Sequence, residues 1–326
     1  MKPVLLAAAC GLALTLFAGG ASAEAVHLKA VSAFPVNLPF TKQFQAFIDR
    51  VNREGEGVVQ IDLIGGPEVI PPQQQDTAIR NGVFDMQMGP TSYYNGNVPE
   101  ADALFGATTT PVEARENGGI DLLDKIWHEK LNAKFLSWQS GGIPFYIYLV
   151  DEPKLTADGV LDLSGVRMRA TPAYKEWFEK LGATNVILQT SEMFPALERG
   201  VVKGLGWPAI SFTDIGVYKF LNYRVEPPVW QLDIAIIMNA DKWESLSDEA
   251  KQILTQAAIE HEKATAESFQ AIREREEKIL QDAGMEFYTL EKGDKHRQIA
   301  FDLVWDRLKS RDPSNVEALR EKFYQP

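Results

Sequence analysis

The sequence predicts a two-lobed α/β fold with mixed or parallel sheets and one long helix that spans both lobes. Three observations lead to this prediction. Strand and helix patterns alternate in both halves of the 326-residue chain, one αβ turn is repeated, and a late stretch contains neither glycine nor proline. Parallel strands need a crossover, usually a helix, so this alternation is typical of mostly parallel sheets. At roughly 150 residues per domain, the length fits two lobes.

The first half of the chain contains five predicted elements. Apolar residues spaced three and four apart between Phe40 and Val51 indicate an amphipathic helix. A run rich in β-branched residues ends at Gly65–Gly66–Pro67 and predicts a strand. In order, the elements are strand His27–Ala33, the helix, strand Val58–Ile64, a helix near Pro72–Arg80 and strand Val83–Met88.

The second half repeats this alternation. Proline suits the first turn of a helix, and serine suits the N-cap position just before one. The pattern therefore predicts strand Val166–Ala170, helix Pro172–Leu181, strand Asn185–Leu188, and helix Glu192–Arg199 with Ser191 as its N-cap.

The two halves also share a short motif. Residues 78–90 and 196–208 each read as a helix end, a glycine turn, a short strand and a proline, with identical spacing. A glycine just past the end of a helix is the usual left-handed cap, so we expect Gly82 and Gly200 to be such caps. Only Ala, Gly, Val and Pro are identical, so a chance resemblance of two αβ turns is the alternative. A true repeat predicts two similar lobes with a ligand cleft between them.

A long helix is predicted late in the chain. No glycine or proline occurs from Asp241 to Ala283, Ser247 is a suitable N-cap, and Gly284 follows. A helix over Asp248–Ala283 would measure about 54 Å, which exceeds the width of one small domain. The alternatives are a surface helix and a coiled coil. The apolar stripe lacks a leucine heptad seam, which favours a strut across both lobes.

The N-terminus resembles a secretory signal peptide. Met1–Lys2 precedes an apolar run from Val4 to Phe17, and the small residues Ala21–Ser22–Ala23 suit signal peptidase. We expect residues 1–23 to be removed after Ala23, which sends the mature chain to the periplasm. The run is too short for a membrane span of about 20 residues. Lipidation at Cys10 is the alternative, although the sequence before it is a poor lipobox.

Composition and motifs exclude several classes of function. The net charge of −12 argues against nucleic-acid binding, and a single cysteine excludes a disulfide framework and a cysteine-based metal site. His128 and His261 each begin like a zincin helix but lack the second histidine, so we expect no metal. No nucleophile elbow, P-loop or dinucleotide motif is present, so we expect no cofactor and a binding protein in place of an enzyme.

Arg169 is the strongest candidate for a ligand-binding residue. Arg167 and Arg169 lie two apart on a predicted strand and so share one face. Arg169 comes at the carboxyl end of that strand, where the cleft is expected. A guanidinium group there can hold a carboxylate through two parallel hydrogen bonds. The alternative is a surface arginine in a salt bridge.

Taken together, these segments resemble the solute-binding subunit of tripartite ATP-independent periplasmic (TRAP) transporters. The resemblance rests on Gly165-Val-Arg-Met-Arg169 followed by Pro172, on Ala196-Leu-Glu-Arg-Gly-Val-Val-Lys-Gly204, and on the long late helix. It implies a periplasmic-binding-protein-like fold whose hinged cleft closes on an organic acid and passes it to membrane permease subunits. It also implies that Arg169 is the carboxylate-clamping arginine.

The chain departs from the family pattern beside this arginine. Many members carry Glu-Asn-Pro where this chain has Gly206-Trp207-Pro208, so Trp207 replaces a ligand-binding asparagine. Aromatic side chains have large apolar faces, and Tyr and Trp add one polar tip, so we expect an aromatic site whose alternative is core packing. The candidate ligand-binding residues are Arg169, Trp207, Tyr94, Phe145, Phe212 and Tyr93.

The function expected from these residues is capture of a small monocarboxylate with an apolar or aromatic body. A C4-dicarboxylate would need a second cation, which Arg199 or Lys203 could supply. A periplasmic enzyme acting on small acids and a sensory binding module are further alternatives. We expect a monomer whose lobe I comprises residues 24–146 plus 235–270 and whose lobe II comprises residues 147–234 plus 271–326.

Overall fold

The computed structural model describes residues 25–325. The predicted signal peptide and the cleavage after Ala23 therefore lie outside the described residues. Within the described part of the chain, no helix combines the length and the apolar character that crossing a membrane requires.

Thirteen strands in the described residues form two large sheets and one small hairpin sheet. The first sheet has the order β2-β1-β3-β12-β4, and the second has the order β13-β11-β5-β10-β8-β9. Parallel and antiparallel neighbours occur in both sheets, which confirms the predicted mixed α/β fold. The strands are β1 (Val26–Ser32), β2 (Val59–Gly65), β3 (Met86–Pro90), β4 (Ala133–Trp138), β5 (Pro144–Leu149), β6 (Lys154–Leu155), β7 (Leu161–Asp162), β8 (Arg167–Ala170), β9 (Thr184–Ile187), β10 (Gly204–Pro208), β11 (Tyr223–Gln231), β12 (Ile234–Asn239) and β13 (Glu286–Thr289).

Helices connect the strands and cover the sheets. The predicted first helix is present, and its apolar face from Phe40 to Val51 is buried. The helices are α1 (Pro39–Glu54), α2 (Gln75–Arg80), α3 (Asp102–Phe105), α4 (Pro111–Glu116), α5 (Gly119–Leu131), α6 (Lys175–Lys180), α7 (Met193–Glu198), α8 (Ala240–Ser245), α9 (Asp248–Asp282), α10 (Gly293–Arg311) and α11 (Val316–Phe323).

The repeated αβ turn has the same geometry in both halves. Gly82 and Gly200 both adopt left-handed backbone angles, with φ of 67° and 65°. In each case the residue after the glycine donates its N–H to a carbonyl five residues earlier, at 2.9 Å in the first turn and 2.8 Å in the second. This is the Schellman arrangement, which ends a helix and turns the chain into the next strand. The turn leads to β3 in the first sheet and to β10 in the second.

Three predicted boundaries are wrong. The strand expected from Val83 begins at Met86, because Val83 is used by the Schellman turn. The helix expected from Pro172 begins at Lys175, after a turn in which Tyr174 and Lys175 donate to the Thr171 carbonyl. Ser191 is not an N-cap. Instead, Gln189 and Glu192 form a capping box around a 3₁₀ turn, and α7 follows it.

Helix α9 contacts both large sheets, as predicted. Ser247 caps its start by accepting a hydrogen bond from the Ala250 N–H at 3.2 Å. On the side of the first sheet, Glu262 accepts from the backbone N–H of Trp138 in β4 at 2.7 Å. On the side of the second sheet, Glu276 accepts from the backbone N–H of Phe212, four residues after β10, at 2.9 Å. The helix therefore links two sheets that are otherwise joined by short connections.

The chain passes between the two sheets at two short segments. One joins β4 to β5, and the other, Leu232–Asp233, joins β11 to β12. The predicted division into lobe I (24–146 plus 235–270) and lobe II (147–234 plus 271–326) stays a prediction, because sheet membership does not define units that move independently.

Glu276 is expected to make stability depend on pH. Burial raises the pKa of this carboxyl to about 7, from an ordinary value of 4.5. The native protein therefore holds this proton more tightly than the unfolded chain, and the contribution of Glu276 to stability is lost as pH rises from 4.5 to about 7. Glu276→Gln should flatten that part of the pH profile of the free energy of unfolding.

Urea unfolding from about pH 4 to about pH 8 measures this effect. Glu274→Gln, at an exposed position on the same helix, is the matched control and should leave the profile unchanged. A profile that Glu276→Gln does not alter would contradict the expected role of the buried carboxyl.

Candidate functional site

A cavity lies between the two large sheets. Its lining includes Pro90 of β3 and Ile234 of β12 from the first sheet, and Arg169 of β8 and Trp207 of β10 from the second. Most of the remaining lining is aromatic or apolar. The aromatic side chains in the lining are Phe34, Phe40, Tyr93, Phe105, Phe145, Tyr174 and Trp207.

Arg169 is buried in the wall of this cavity, with 2% of its surface exposed. Its Nε donates to the Leu188 carbonyl at 3.0 Å, and its Nη1 donates to the Tyr174 hydroxyl at 2.6 Å. That hydroxyl in turn donates to the Gly206 carbonyl at 3.2 Å. The side chain is thus held in one orientation by the carbonyl that follows β9 and by Tyr174, whose hydroxyl is in turn held by strand β10.

The guanidinium charge of Arg169 has no counterion among residues 25–325, because its protein partners are a carbonyl and a hydroxyl. Its Nη2 also has no hydrogen-bond partner in that part of the chain. A buried charge without an ion pair costs several kcal/mol. An anion in the cavity would therefore gain a strong, oriented partner.

Trp207, Phe145 and Tyr93 join Arg169 in the cavity wall. The Trp207 ring centre lies 5.7 Å from the guanidinium carbon of Arg169, and its Nε1 donates to the Ile210 carbonyl at 3.0 Å. The Phe145 ring lies 5.0 Å from the ring of Tyr174. Burial raises the pKa of Tyr93 to about 12, so its hydroxyl stays protonated at neutral pH.

Tyr94 and Phe212 lie outside this cavity. Tyr94 is buried in a neighbouring hydrophobic cluster, where its ring meets the edge of Trp127 at 6.3 Å. Phe212 stacks on Tyr148 at 4.0 Å. Both side chains pack in the core, which is the alternative that the sequence analysis gave for the aromatic residues.

Two residues in the lining have polar roles that the sequence analysis missed. Tyr174 orients Arg169, and Asp233 is a second charged group in the cavity wall. Asp233 is buried on the Leu232–Asp233 connection, and its Oδ2 accepts from the Ser92 N–H at 2.6 Å and from the Thr91 hydroxyl at 3.1 Å. Burial raises the pKa of this carboxyl, and the hydrogen bonds from Ser92 and Thr91 oppose the shift.

Residues 25–325 contain no cluster of three or more His, Cys, Asp or Glu side chains suited to a metal ion. The cavity has one carboxylate, Asp233, and no histidine in its lining.

A cavity between two mixed sheets, with one uncompensated arginine and aromatic walls, defines a receptor for a small anionic solute. Comparison with known proteins agrees with this class. Residues 31–309 match the family described as bacterial extracellular solute-binding protein, family 7 (DctP), and the chain belongs to this family. This membership confirms the resemblance to the solute-binding subunits of TRAP transporters that the sequence predicted.

Two curated relatives differ in the ligand that their names state. The monocarboxylate 2-oxoacid-binding periplasmic protein of Nostoc is 24% identical over 72% of this chain and 66% of its own length. The C4-dicarboxylate-binding periplasmic protein of Rhodobacter capsulatus is 24% identical over 87% of this chain and 85% of its own length.

Solved structures share the fold at low sequence identity. A solute receptor of Bordetella pertussis that binds pyroglutamic acid is 17% identical, with a TM-score of 0.80 over 92% of this chain and 100% of its own. A TRAP solute-binding protein of Bordetella bronchiseptica, with copurified calcium and picolinate, is 19% identical, with a TM-score of 0.80 over 92% of this chain and 90% of its own. These matches establish the two-lobed fold of the chain.

Tyr174→Phe is expected to loosen the cavity wall. The change leaves Arg169 Nη1 and the Gly206 carbonyl without their shared partner in a buried place. The free energy of unfolding should fall by about 1–3 kcal/mol, which is the usual cost of an unsatisfied buried group.

Equilibrium unfolding in urea measures this change. Tyr218→Phe is the control, because its ring is half-buried and its hydroxyl makes no hydrogen bond within residues 25–325. Equal stability of the two variants would show that the Tyr174 hydroxyl does not hold Arg169.

Proposed function

We propose that this protein captures a small monocarboxylate with an apolar or aromatic body and delivers it to the membrane subunits of a TRAP transporter. The observation that carries the proposal is the buried Arg169 guanidinium without a counterion. A carboxylate would neutralise that charge and accept hydrogen bonds from the free Nη2, and charge-assisted bonds of this kind are strong. The aromatic walls would contact the body of the ligand.

A monocarboxylate fits the cavity better than a dicarboxylate. Arg169 is the only cation among the described residues of the lining, and Asp233 adds a negative charge. A second ligand carboxylate would face that charge without a partner, and burying an unpaired charge costs several kcal/mol. Arg199 and Lys203, which could have supplied a second cation, are both exposed and do not line the cavity.

The remaining parts of the proposal concern where and how the protein works. Family members are receptors that bind solutes outside the cytoplasm and are not enzymes. We propose that residues 1–23 are removed after Ala23 and that the mature chain acts as a periplasmic monomer without metal or cofactor. Ligand contacts from both lobes would stabilise the closed state.

A thermal-shift screen across organic acids tests the ligand class. We expect aromatic, hydroxy and keto monocarboxylates to raise the melting temperature, because a ligand that binds only the native state stabilises it by mass action. Succinate, malate and fumarate should have little effect. If only such C4-dicarboxylates raise the melting temperature, the monocarboxylate proposal is wrong.

Arg169→Ala should lower the affinity for the best acid of that screen by about a hundredfold or more. Removing a buried fork costs close to 3 kcal/mol, which is about a hundredfold in affinity. Isothermal titration calorimetry measures this loss, and Arg169→Lys should lie between the wild type and the alanine variant, since it keeps the charge and loses the fork.

Arg167→Ala is the matched control for this experiment. Arg167 lies two residues away on β8, is exposed, and donates to the Gly200 carbonyl. Its removal should leave affinity unchanged. Similar losses in the two variants would mean that the carboxylate is not held by Arg169.

A further inference from the structure

Asp233 is the second charged side chain in the cavity wall, and it has no role in the proposed binding of a monocarboxylate by Arg169. Its surface is 2% exposed, yet it belongs to the cavity lining. It makes no ion pair with Arg169, whose hydrogen bonds go to Leu188 and Tyr174. A buried carboxylate normally has partners for both of its oxygens.

The two oxygens of Asp233 have different surroundings. Oδ2 accepts two hydrogen bonds, from the Ser92 N–H at 2.6 Å and from the Thr91 hydroxyl at 3.1 Å. Neither of these two hydrogen bonds engages Oδ1. Because Asp233 belongs to the cavity lining, Oδ1 is the oxygen of this carboxylate that we expect to accept a hydrogen bond from a ligand.

The orientation of this carboxylate is fixed by the protein. The backbone N–H of Ser92 can only donate, so the oxygen beside it must remain an acceptor. The Thr91 backbone N–H also donates to the Asp233 carbonyl at 3.0 Å, which ties the residue to the end of β3. Oδ1 thus presents acceptor lone pairs to a ligand at a set position.

We propose that Asp233 is a specificity-determining residue that selects acids carrying an N–H or O–H donor near the carboxylate. This inference rests on the proposed function and deepens it, because Arg169 would take the carboxylate and Asp233 Oδ1 would accept the donor. Hydroxy acids, amino acids and lactam acids have such a donor. Keto acids have an acceptor at the same place, and their oxygen would face Oδ1 with repulsion.

Pairs of acids with the same shape test this selection. In each pair, one acid has a hydrogen-bond donor at the position where the other has an acceptor. The pairs are lactate and pyruvate, mandelate and phenylglyoxylate, and pyroglutamate and its lactone analogue. In at least one pair that binds the wild type, calorimetry should give the donor member about tenfold or more tighter binding, as expected for a hydrogen bond to a charged group.

The variant Asp233→Asn tests this preference most directly. The amide oxygen must take the place of Oδ2, because the Ser92 N–H needs an acceptor. The amide NH₂ then occupies the place of Oδ1 and becomes a donor toward the cavity. The preference within the pair should therefore disappear or reverse toward the keto acid or lactone. Asp121→Asn, at an exposed position of α5, makes the same change of charge and should keep the wild-type preference.

The outcomes separate this inference from the proposed function. If no acid binds, or if Arg169→Ala binds as well as the wild type, the proposed function fails and the inference fails with it. If acids bind through Arg169 but donor and acceptor members bind alike in the wild type, only the inference fails. Titrations in EDTA and in calcium add one more outcome, since a donor preference that appears only with calcium would assign Oδ1 to a metal ion and overturn the inference.

Discussion

The cavity depends on one buried cation that the protein does not neutralise. Arg169 is held by a carbonyl and a hydroxyl, so its orientation is fixed while its charge is left for a ligand. Keeping such a charge out of water is costly, and the surrounding fold must provide the stability that offsets this cost. The aromatic rings of Phe145 and Trp230 pack together in the core, and the long helix α9 hydrogen-bonds to residues on the side of each sheet.

The sequence predicted the elements whose signals are local. The two glycine turns follow from left-handed capping, and the limits of α9 follow from Ser247 and Gly284, so neither needs knowledge of distant residues. Arg169 could be placed because side chains alternate along a strand and ligands bind at the ends of strands. Each of these rules depends on only a few neighbouring residues, so it can be applied to a sequence without knowledge of the structure.

Residues brought together by the tertiary fold could not be predicted in the same way. Tyr93 and Tyr94 are neighbours in the chain, yet one lines the cavity and the other packs against Trp127. Both lie in one 3₁₀ turn, Thr91–Tyr94, and no signal in the sequence is strong enough to assign the directions of their side chains. Asp233 is adjacent to Thr91 and Ser92 only because β12 pairs with β3, so its place in the wall is a product of sheet pairing.

The connection Leu232–Asp233 has a mechanical consequence. It is the shorter of the two strand-to-strand links between the sheets, and both of its residues border the cavity. If one sheet rotated against the other about this link, the cavity walls beside the link would move little and the outer rim of the cleft would move most. A solute in the cavity would then lie close to the rotation axis, where its contacts with the protein are kept while the entrance opens.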